Sequence, residues 1–176
     1  MRIFIALLFN RQVKDNLYSY IENLAEKYQG NYTTYNNLHL TLFYIGELDR
    51  ETIEKVIDSI KTINYYQFTY VAKKLGSFKN ANKHKLVHFE VDNNYELNNL
   101  HKLTINALIK AGIKIDNANF TPHITIGRKV EISDQELSMI KVEEMHITAN
   151  RISVMVSKRV NGELIYEEID YNFLKK

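Results

Sequence analysis

The sequence predicts an α+β fold: a bilobal, pseudo-two-fold duplicated architecture with two sheets flanking a central cleft and helices packed outside. Three observations predict it. Strand-like and helix-like segments follow one another twice in the same order. Two stretches of one pattern, Asn37-Leu38-His39-Leu40-Thr41-Leu42 and Thr121-Pro122-His123-Ile124-Thr125-Ile126, stand about half the chain apart. The 176 residues are enough for a single domain with a sizeable core, spanning 1–176 in two similar halves of roughly 1–80 and 84–176.

Each element has its own warrant. Arg2 to Phe9 is short and almost wholly apolar, as in a strand covered on both faces. Arg11 to Tyr28 repeats Leu17, Tyr20, Ile21, Leu24 and Tyr28 at helical spacing, with Gly30 as its stop. Leu38 to Ile45 is the first motif strand, closed by Gly46. Asp49 caps a helix from Glu51 to Ile63 whose stripe is Ile53, Val56, Ile57 and Ile60. Phe68 to Leu75 is a strand and Gly76 to Lys83 a loop. The order then restarts with a strand at Lys85 to Val91 and a helix at Tyr95 to Ala111, followed by Gly112. Phe120 to Arg128 is the second motif strand. Its Pro122, the only proline, lacks a ladder donor and suits a strand start or edge. Ser133 caps a short helix from Asp134 to Ile140. Met145 to Ser157 reads as one long strand, with Glu163 to Tyr171 returning on it through an Asn161-Gly162 hairpin turn.

Composition narrows the function classes. A formal net charge of +2 gives no argument for strong non-specific nucleic-acid binding, although a local basic cleft remains open. With no cysteine there is no disulfide framework, thiolate nucleophile or zinc–thiolate site, which fits a reducing cytoplasm. Met1 to Phe9 has too short an apolar run for a signal peptide, and no small-x-small cleavage site follows it. No stretch approaches the ~20 apolar residues of a membrane span. A cytoplasmic, monomeric protein without membrane contact is expected.

The chemistry lies in the two His-x-Thr-x stretches. Strand side chains alternate, so His39 and Thr41 share one face, about 7 Å apart, with Leu40 and Leu42 on the other. His123 and Thr125 repeat the arrangement against Ile124 and Ile126. Pseudo-two-fold packing would bring the two histidines across one groove. Imidazole, with an unperturbed pKa of about 6.5, serves as base when neutral and as acid when protonated. The threonine hydroxyls can donate to phosphate oxygens as charge builds on them. That set splits a phosphodiester without a metal. Neither motif carries a carboxylate within two residues on its face, so no metal and no cofactor is called for. His146-Ile147-Thr148-Ala149 also reads His-x-Thr-x, but it falls on a strand without a motif counterpart and is set aside as a decoy.

At these residues the chain resembles the two-histidine phosphoesterase superfamily, above all its bacterial RNA 2′,3′-cyclic phosphodiesterases, also called 2′-5′ RNA ligases. The likeness runs from Met1-Arg2-Ile3-Phe4-Ile5-Ala6 through both motifs. It includes Ile45-Gly46, Gly127-Arg128, Val156-Ser157-Lys158, Gly162 and Tyr166. The resemblance implies a bilobal fold and metal-independent opening of a ribose 2′,3′-cyclic phosphate to a 2′-phosphate. It implies His123 as the base that activates water and His39 as the acid that protonates the departing 3′ oxygen. Thr41 and Thr125 would hold phosphate oxygens, and Arg128 would contact phosphate or substrate. RNA ends or small cyclic nucleotides would be the partners.

The likeness has gaps at the cleft walls. Asn31 to Asn36 lacks the Arg-Trp and proline expected before the first motif, and His88 stands where many relatives carry tryptophan. Phe43, Tyr44 and Phe120 flank the motifs, as does Tyr35, and are candidate rings for stacking on a base. His84 reads as solvated, His88 as core, and His101 as helix surface. Lys73, Lys74, Lys79, Lys83 and Lys85 form a candidate phosphate-attracting rim. Within the enzyme class, 2′-5′ ligation or cleavage of 2′-5′ oligonucleotides stays open. Outside it stands a non-catalytic RNA-binding module on the same fold.

Overall fold

The computed structural model describes residues 1–79 and 84–176; the side chain of Lys79 lies outside that description with residues 80–83. Its strands are β1 (Arg2–Leu8), β2 (Asn31–Tyr32), β3 (His39–Glu47), β4 (Phe68–Lys79), β5 (Lys85–Val91), β6 (His123–Val130), β7 (Met145–Ala149), β8 (Arg151–Val160) and β9 (Glu163–Phe173). Its helices are α1 (Arg11–Ala25), α2 (Arg50–Lys61), α3 (Tyr95–Lys110) and α4 (Asp134–Met139). Two antiparallel sheets result, ordered β3-β1-β8-β9 and β2-β6-β5-β4-β7. Each sheet draws strands from both halves of the chain. β4 leaves the first half to pair with β5, and β8 returns to pair with β1.

Local rules explain most elements. Asn10, Asp49, Asn94 and Ser133 each accept from the backbone N–H three residues on, satisfying an orphan donor at a helix start. Asn161 and Gly162 both take positive φ, as the tight β8–β9 hairpin requires. One apolar core runs through the molecule and includes Ile3, Ile5 and Leu7 of β1, Leu40 and Leu42 of β3, and Ile124 and Ile126 of β6. A smaller cluster on the opposite face of the first sheet holds Phe4, Ala6 and Met155, with Leu8 and Tyr166 against it. No helix among the described residues is long and apolar enough to cross a membrane.

Several boundaries differ from the sequence reading. α1 stops at Ala25, where Glu26 caps it, and Gly30 lies beyond the helix. Gly30 instead packs tightly on β6, since a Cβ there would come within 3.0 Å of Val130 Cγ2. β4 continues through Gly76, where a loop was expected. The glycine belongs to the ladder opposite His88, and an added Cβ would meet Glu90 Oε1 at 2.5 Å. β6 begins at His123, not Phe120. The single long strand from Met145 to Ser157 is two strands in different sheets, broken at Asn150. β7, an edge strand, alternates buried and exposed; Ile152 to Val156 in β8, between two neighbours, is buried without a break.

The segment Asn31 to Asn37 ties the two sheets together. β2 pairs with β6, setting Asn31 opposite Arg128 and Tyr32 opposite Gly127. At its far end the buried Asn37 gives its Nδ2 to the Leu164 carbonyl at 2.7 Å and accepts from the Tyr166 N–H at 3.0 Å. This side chain thus completes the edge of β9. Asn37→Ala leaves both β9 groups unpaired and is expected to cost about 2 kcal/mol of unfolding free energy, read by urea denaturation. A loss under about 0.5 kcal/mol, the range of an ordinary surface change, would show that the tie does not hold the edge.

Candidate active site

The two motif strands meet where the sheets face each other. β3 is the edge strand of its sheet and packs against β6 of the other. Both strands commit one face to the core: Leu40, Ile124 and Ile126 are fully buried and Leu42 nearly so. His39, Thr41, His123 and Thr125 are therefore turned outward, and all four line one cavity of about 290 Å³. Tyr44 and Arg128 complete its two walls, with Phe4, Ser157 and Tyr166 from neighbouring strands.

Each motif strand carries a bulge after its threonine. Thr41 pairs with Ala6, but the next rung joins Phe43 to Ile5 and the following one Tyr44 to Phe4. In β6, Thr125 pairs with His88, Gly127 with Val87 and Arg128 with Leu86. One extra residue shifts the alternation, so position +3 from each threonine reaches the cleft and position +2 does not. Tyr44 and Arg128 are therefore structural equivalents. Phe43, a candidate ring for stacking on a base, packs on the core instead.

The histidines are held alike. His39 Nδ1 lies 2.7 Å from the Asn37 carbonyl, and His123 Nδ1 lies 2.7 Å from that of Thr121. A carbonyl only accepts, so Nδ1 carries the proton in both rings and Nε2 keeps its lone pair when the ring is neutral. His39 Nε2 accepts from Thr41 Oγ1 at 2.9 Å. The ring of His39 is wedged by Phe4 and Tyr166, with centroids at 5.0 and 5.1 Å. His123 is braced by Phe78 at 5.1 Å and His88 at 5.2 Å, themselves stacked at 4.2 Å.

Electrostatics favour neutral rings in the cleft. Burial pushes His39 down to about 4, helped by the nearby Arg128 and His123 charges and opposed by the Asn37 hydrogen bond. His123 is also lowered, first by burial and then by Arg128, against the Thr121 hydrogen bond. Burial and the neighbouring His123 bring His88 to about 4. No carboxylate lies within ion-pair distance of Arg128 among the described residues. An arriving phosphate anion would meet that guanidinium and would raise the affinity of both rings for protons. Among the described residues no three His, Cys, Asp or Glu side chains gather at metal-ligating distances, and the cavity offers imidazoles, hydroxyls and a guanidinium.

Other expected contacts fall elsewhere. Phe120 stacks on His101 at 4.4 Å, and both line a separate hollow beside α3, away from the cleft. His101 is thus buried and not on the helix surface, because α3 buries a broad face that includes Leu97, Thr104 and Leu108. Tyr35 gives its hydroxyl to Asp15 at 2.7 Å, outside the cleft. Lys73, Lys74 and Lys85 pair with Asp92, Glu90 and Asp134, so these three are not a free basic rim. The Lys79 side chain and Lys83 lie outside the described residues. His84 is exposed, and His146 is exposed on β7, off the cleft. Phe4, Ser157 and Tyr166 were missed as lining residues. In β1 both faces are apolar, so alternation gave no sign that Phe4 faces the cleft, and Tyr166 arrives only through the β1-β8-β9 order.

Two curled antiparallel sheets with paired His-x-Thr strands across a cleft define a two-histidine phosphoesterase. The chain belongs to the 2′-5′ RNA ligase superfamily, whose family profile matches residues 13–161. It is similar to an RNA 2′,3′-cyclic phosphodiesterase of Thermotoga maritima, 31% identical over 131 residues, covering 73% of this chain and 70% of the relative. A Bacillus subtilis protein of the same name is 28% identical over 135 residues, 74% and 73% of the two chains. The crystal structure of E. coli LigT in its apo form matches with a TM-score of 0.79 at 17% identity, covering 99% and 98%. That likeness concerns the fold.

The neutral, buried imidazoles have a consequence for stability. Below pH 6.5 the unfolded chain takes up protons that the folded rings of His39, His88 and His123 refuse, so unfolding gains. Unfolding free energy should be fully present above pH 6.5 and decline as pH falls toward 4. Urea titrations across pH 4 to 8 measure this, and a flat profile through that window would contradict the burial of the rings.

Proposed function

We propose that this protein is a metal-independent phosphodiesterase that opens a ribose 2′,3′-cyclic phosphate to a 2′-phosphate by acid–base catalysis. The observation that carries the reading is the pair of equivalently tethered histidines on one small cavity with two threonine hydroxyls and an arginine that has no carboxylate partner among the described residues. The names of the relatives support it. One Nε2 takes a proton from water as its oxygen bonds to phosphorus. The bond from phosphorus to the 3′ oxygen breaks, and the other imidazolium supplies that oxygen with a proton. Thr41, Thr125 and the Arg128 guanidinium meet the charge on the non-bridging oxygens. Both histidines come from one chain, so a monomer is sufficient.

Family likeness gives His123 as base and His39 as acid. Burial favours the opposite distribution in the free cleft, since His39 stays neutral down to about pH 4. Replacing the 3′ bridging oxygen by sulfur separates the two. A thiolate leaves without protonation, so the defect of the acid variant shrinks on that substrate and the defect of the base variant does not.

His39→Ala and His123→Ala should each lower kcat/KM for a nucleoside 2′,3′-cyclic phosphate by about 10²–10⁴-fold in EDTA, with 2′-phosphate as the wild-type product. Retention within about tenfold of wild type by either folded variant would refute the reading. Because one ring must be protonated and both pKa values lie below the usual 6.5, kcat/KM should decline as pH rises beyond that value. The kcat profile should lie at higher pH, since bound phosphate favours imidazolium. An optimum of kcat/KM above pH 8 would be incompatible with these rings as the acid–base pair.

A further inference from the structure

The two halves hold their histidines by the same bond but support that bond differently. In the first half the carbonyl that binds His39 Nδ1 belongs to Asn37, whose own side chain is tied to β9 at Leu164 and Tyr166. In the second half the carbonyl belongs to Thr121, which is exposed and whose hydroxyl makes no hydrogen bond among the described residues. Thr121 lies between α3 and β6, and the ladder does not reach it, because β6 begins at His123. Residues 116–121 make no backbone–backbone hydrogen bond among the described residues, and the Asn119 N–H turns back on Asn117 Oδ1 at 2.8 Å. Residues 118–120 border the hollow beside α3, of about 760 Å³. The support next to Thr121 is the Phe120 ring, partly buried against the core and stacked on His101 at 4.4 Å with 4° between the planes.

We infer that the His101–Phe120 stack is a positioning device for His123: it holds the Thr121 carbonyl against Nδ1 and so fixes the tautomer and aim of that ring. The kinetic consequence rests on the reaction proposed above; the effect on the tautomer does not. His101 is a firm support. It is 6% exposed on α3, one turn from the buried Leu97 on one side and the buried Ile105 on the other. Burial, and then the Lys102 charge, lower its proton affinity, so the ring facing Phe120 is neutral at neutral pH. What the ring offers there is its flat face, since its Nε2 is buried without a hydrogen-bond partner among the described residues. The Thr121 carbonyl sits in the peptide that leads to Pro122, and a residue before proline is confined to extended backbone. With Phe120 anchored on one side and β6 starting on the other, that carbonyl has little freedom to turn away. The bond it makes puts the proton on Nδ1 and leaves the Nε2 lone pair for the cleft. The stack does in the second half what the Asn37 side chain does in the first, by packing in place of hydrogen bonds.

The test compares the wild type with Phe120→Ala, His101→Ala and His101→Phe, the last of which keeps a flat ring. kcat and KM are measured on a nucleoside 2′,3′-cyclic phosphate, and the His123 tautomer is read from the NMR shifts of its ring nitrogens. Both alanine variants should lose about tenfold in kcat while KM changes by less than about threefold. Their His123 should show a mixture of Nδ1–H and Nε2–H rings where the wild type shows Nδ1–H. His101→Phe should match the wild type in both measurements. Phe120→Leu, with comparable bulk and no flat face, takes the place of Phe120→Ala if that variant does not fold. A kcat within about twofold of wild type in the folded Phe120 variant would overturn the inference. So would a lowered kcat with the tautomer unchanged, which marks a merely structural loss. Failure of the reaction itself is distinguishable, because the wild type would then not turn over. The tautomer comparison, which needs no substrate, decides the stack in that case: a mixture in the alanine variants upholds it, and an unchanged tautomer removes it.

Discussion

The site depends on one constraint: the core-facing residues of β3 and β6 must be buried. Leu40 and Leu42 on one strand, and Ile124 and Ile126 on the other, are buried to within 2% exposure. Alternation then leaves the intervening histidines and threonines no direction but outward. A one-residue slip would put apolar side chains in the cleft and imidazoles in the core, a loss of several kcal/mol by burial alone. The energy that folds the lobes thus also aims the cleft side chains, and Asn37 and Thr121 need add only a carbonyl to set each ring's tautomer.

The bulges refine this rule. After each threonine the ladder slips by one, which brings Tyr44 and Arg128 to the cleft and turns Phe43 and Gly127 inward. The glycine has a reason. Tyr32 of β2 lies opposite it, and a Cβ there would meet Val130 at 2.7 Å and the Tyr32 ring at 3.2 Å. β3 has no further strand on its outer side, so Phe43 is accommodated at the equivalent place. The duplication therefore persists in backbone and register, while side chains have diverged according to what each strand packs against.

These details mark the limit of what the sequence shows. The motifs, the hairpin turn and the caps at Asp49 and Ser133 were legible because each depends on residues within a few positions. Phe43 was misplaced because a bulge has no signature in an apolar strand. The break at Asn150 was missed because one asparagine is the sole interruption of a β-rich run, and the change from alternating to continuous burial there is hidden by the polar Ser153, which is buried. His101 was taken for surface because a polar residue in a helical stripe reads as its edge, whereas α3 buries more than one stripe. The lysine rim failed for a different reason: its partners Asp92, Glu90 and Asp134 are set by strand pairing and by α4, not by neighbours in sequence.

Symmetry alone would let a cyclic phosphate enter in either of two orientations, since each half offers an imidazole above a hydroxyl. The departures from symmetry remove that choice. Only the second half supplies a guanidinium, at the place where the first half has Tyr44. Both rings are braced by two neighbours, but His39 is also held by its own threonine, and burial pushes its proton affinity down to about 4. A second cavity of about 860 Å³ opens past Arg128 and Tyr166, with Arg159 of the β8–β9 hairpin on its wall. In the proposed reaction, a phosphate drawn toward Arg128 would have one face to His39 and the other to His123. In that reaction two equivalent histidines would become an acid and a base through the substrate's direction of entry.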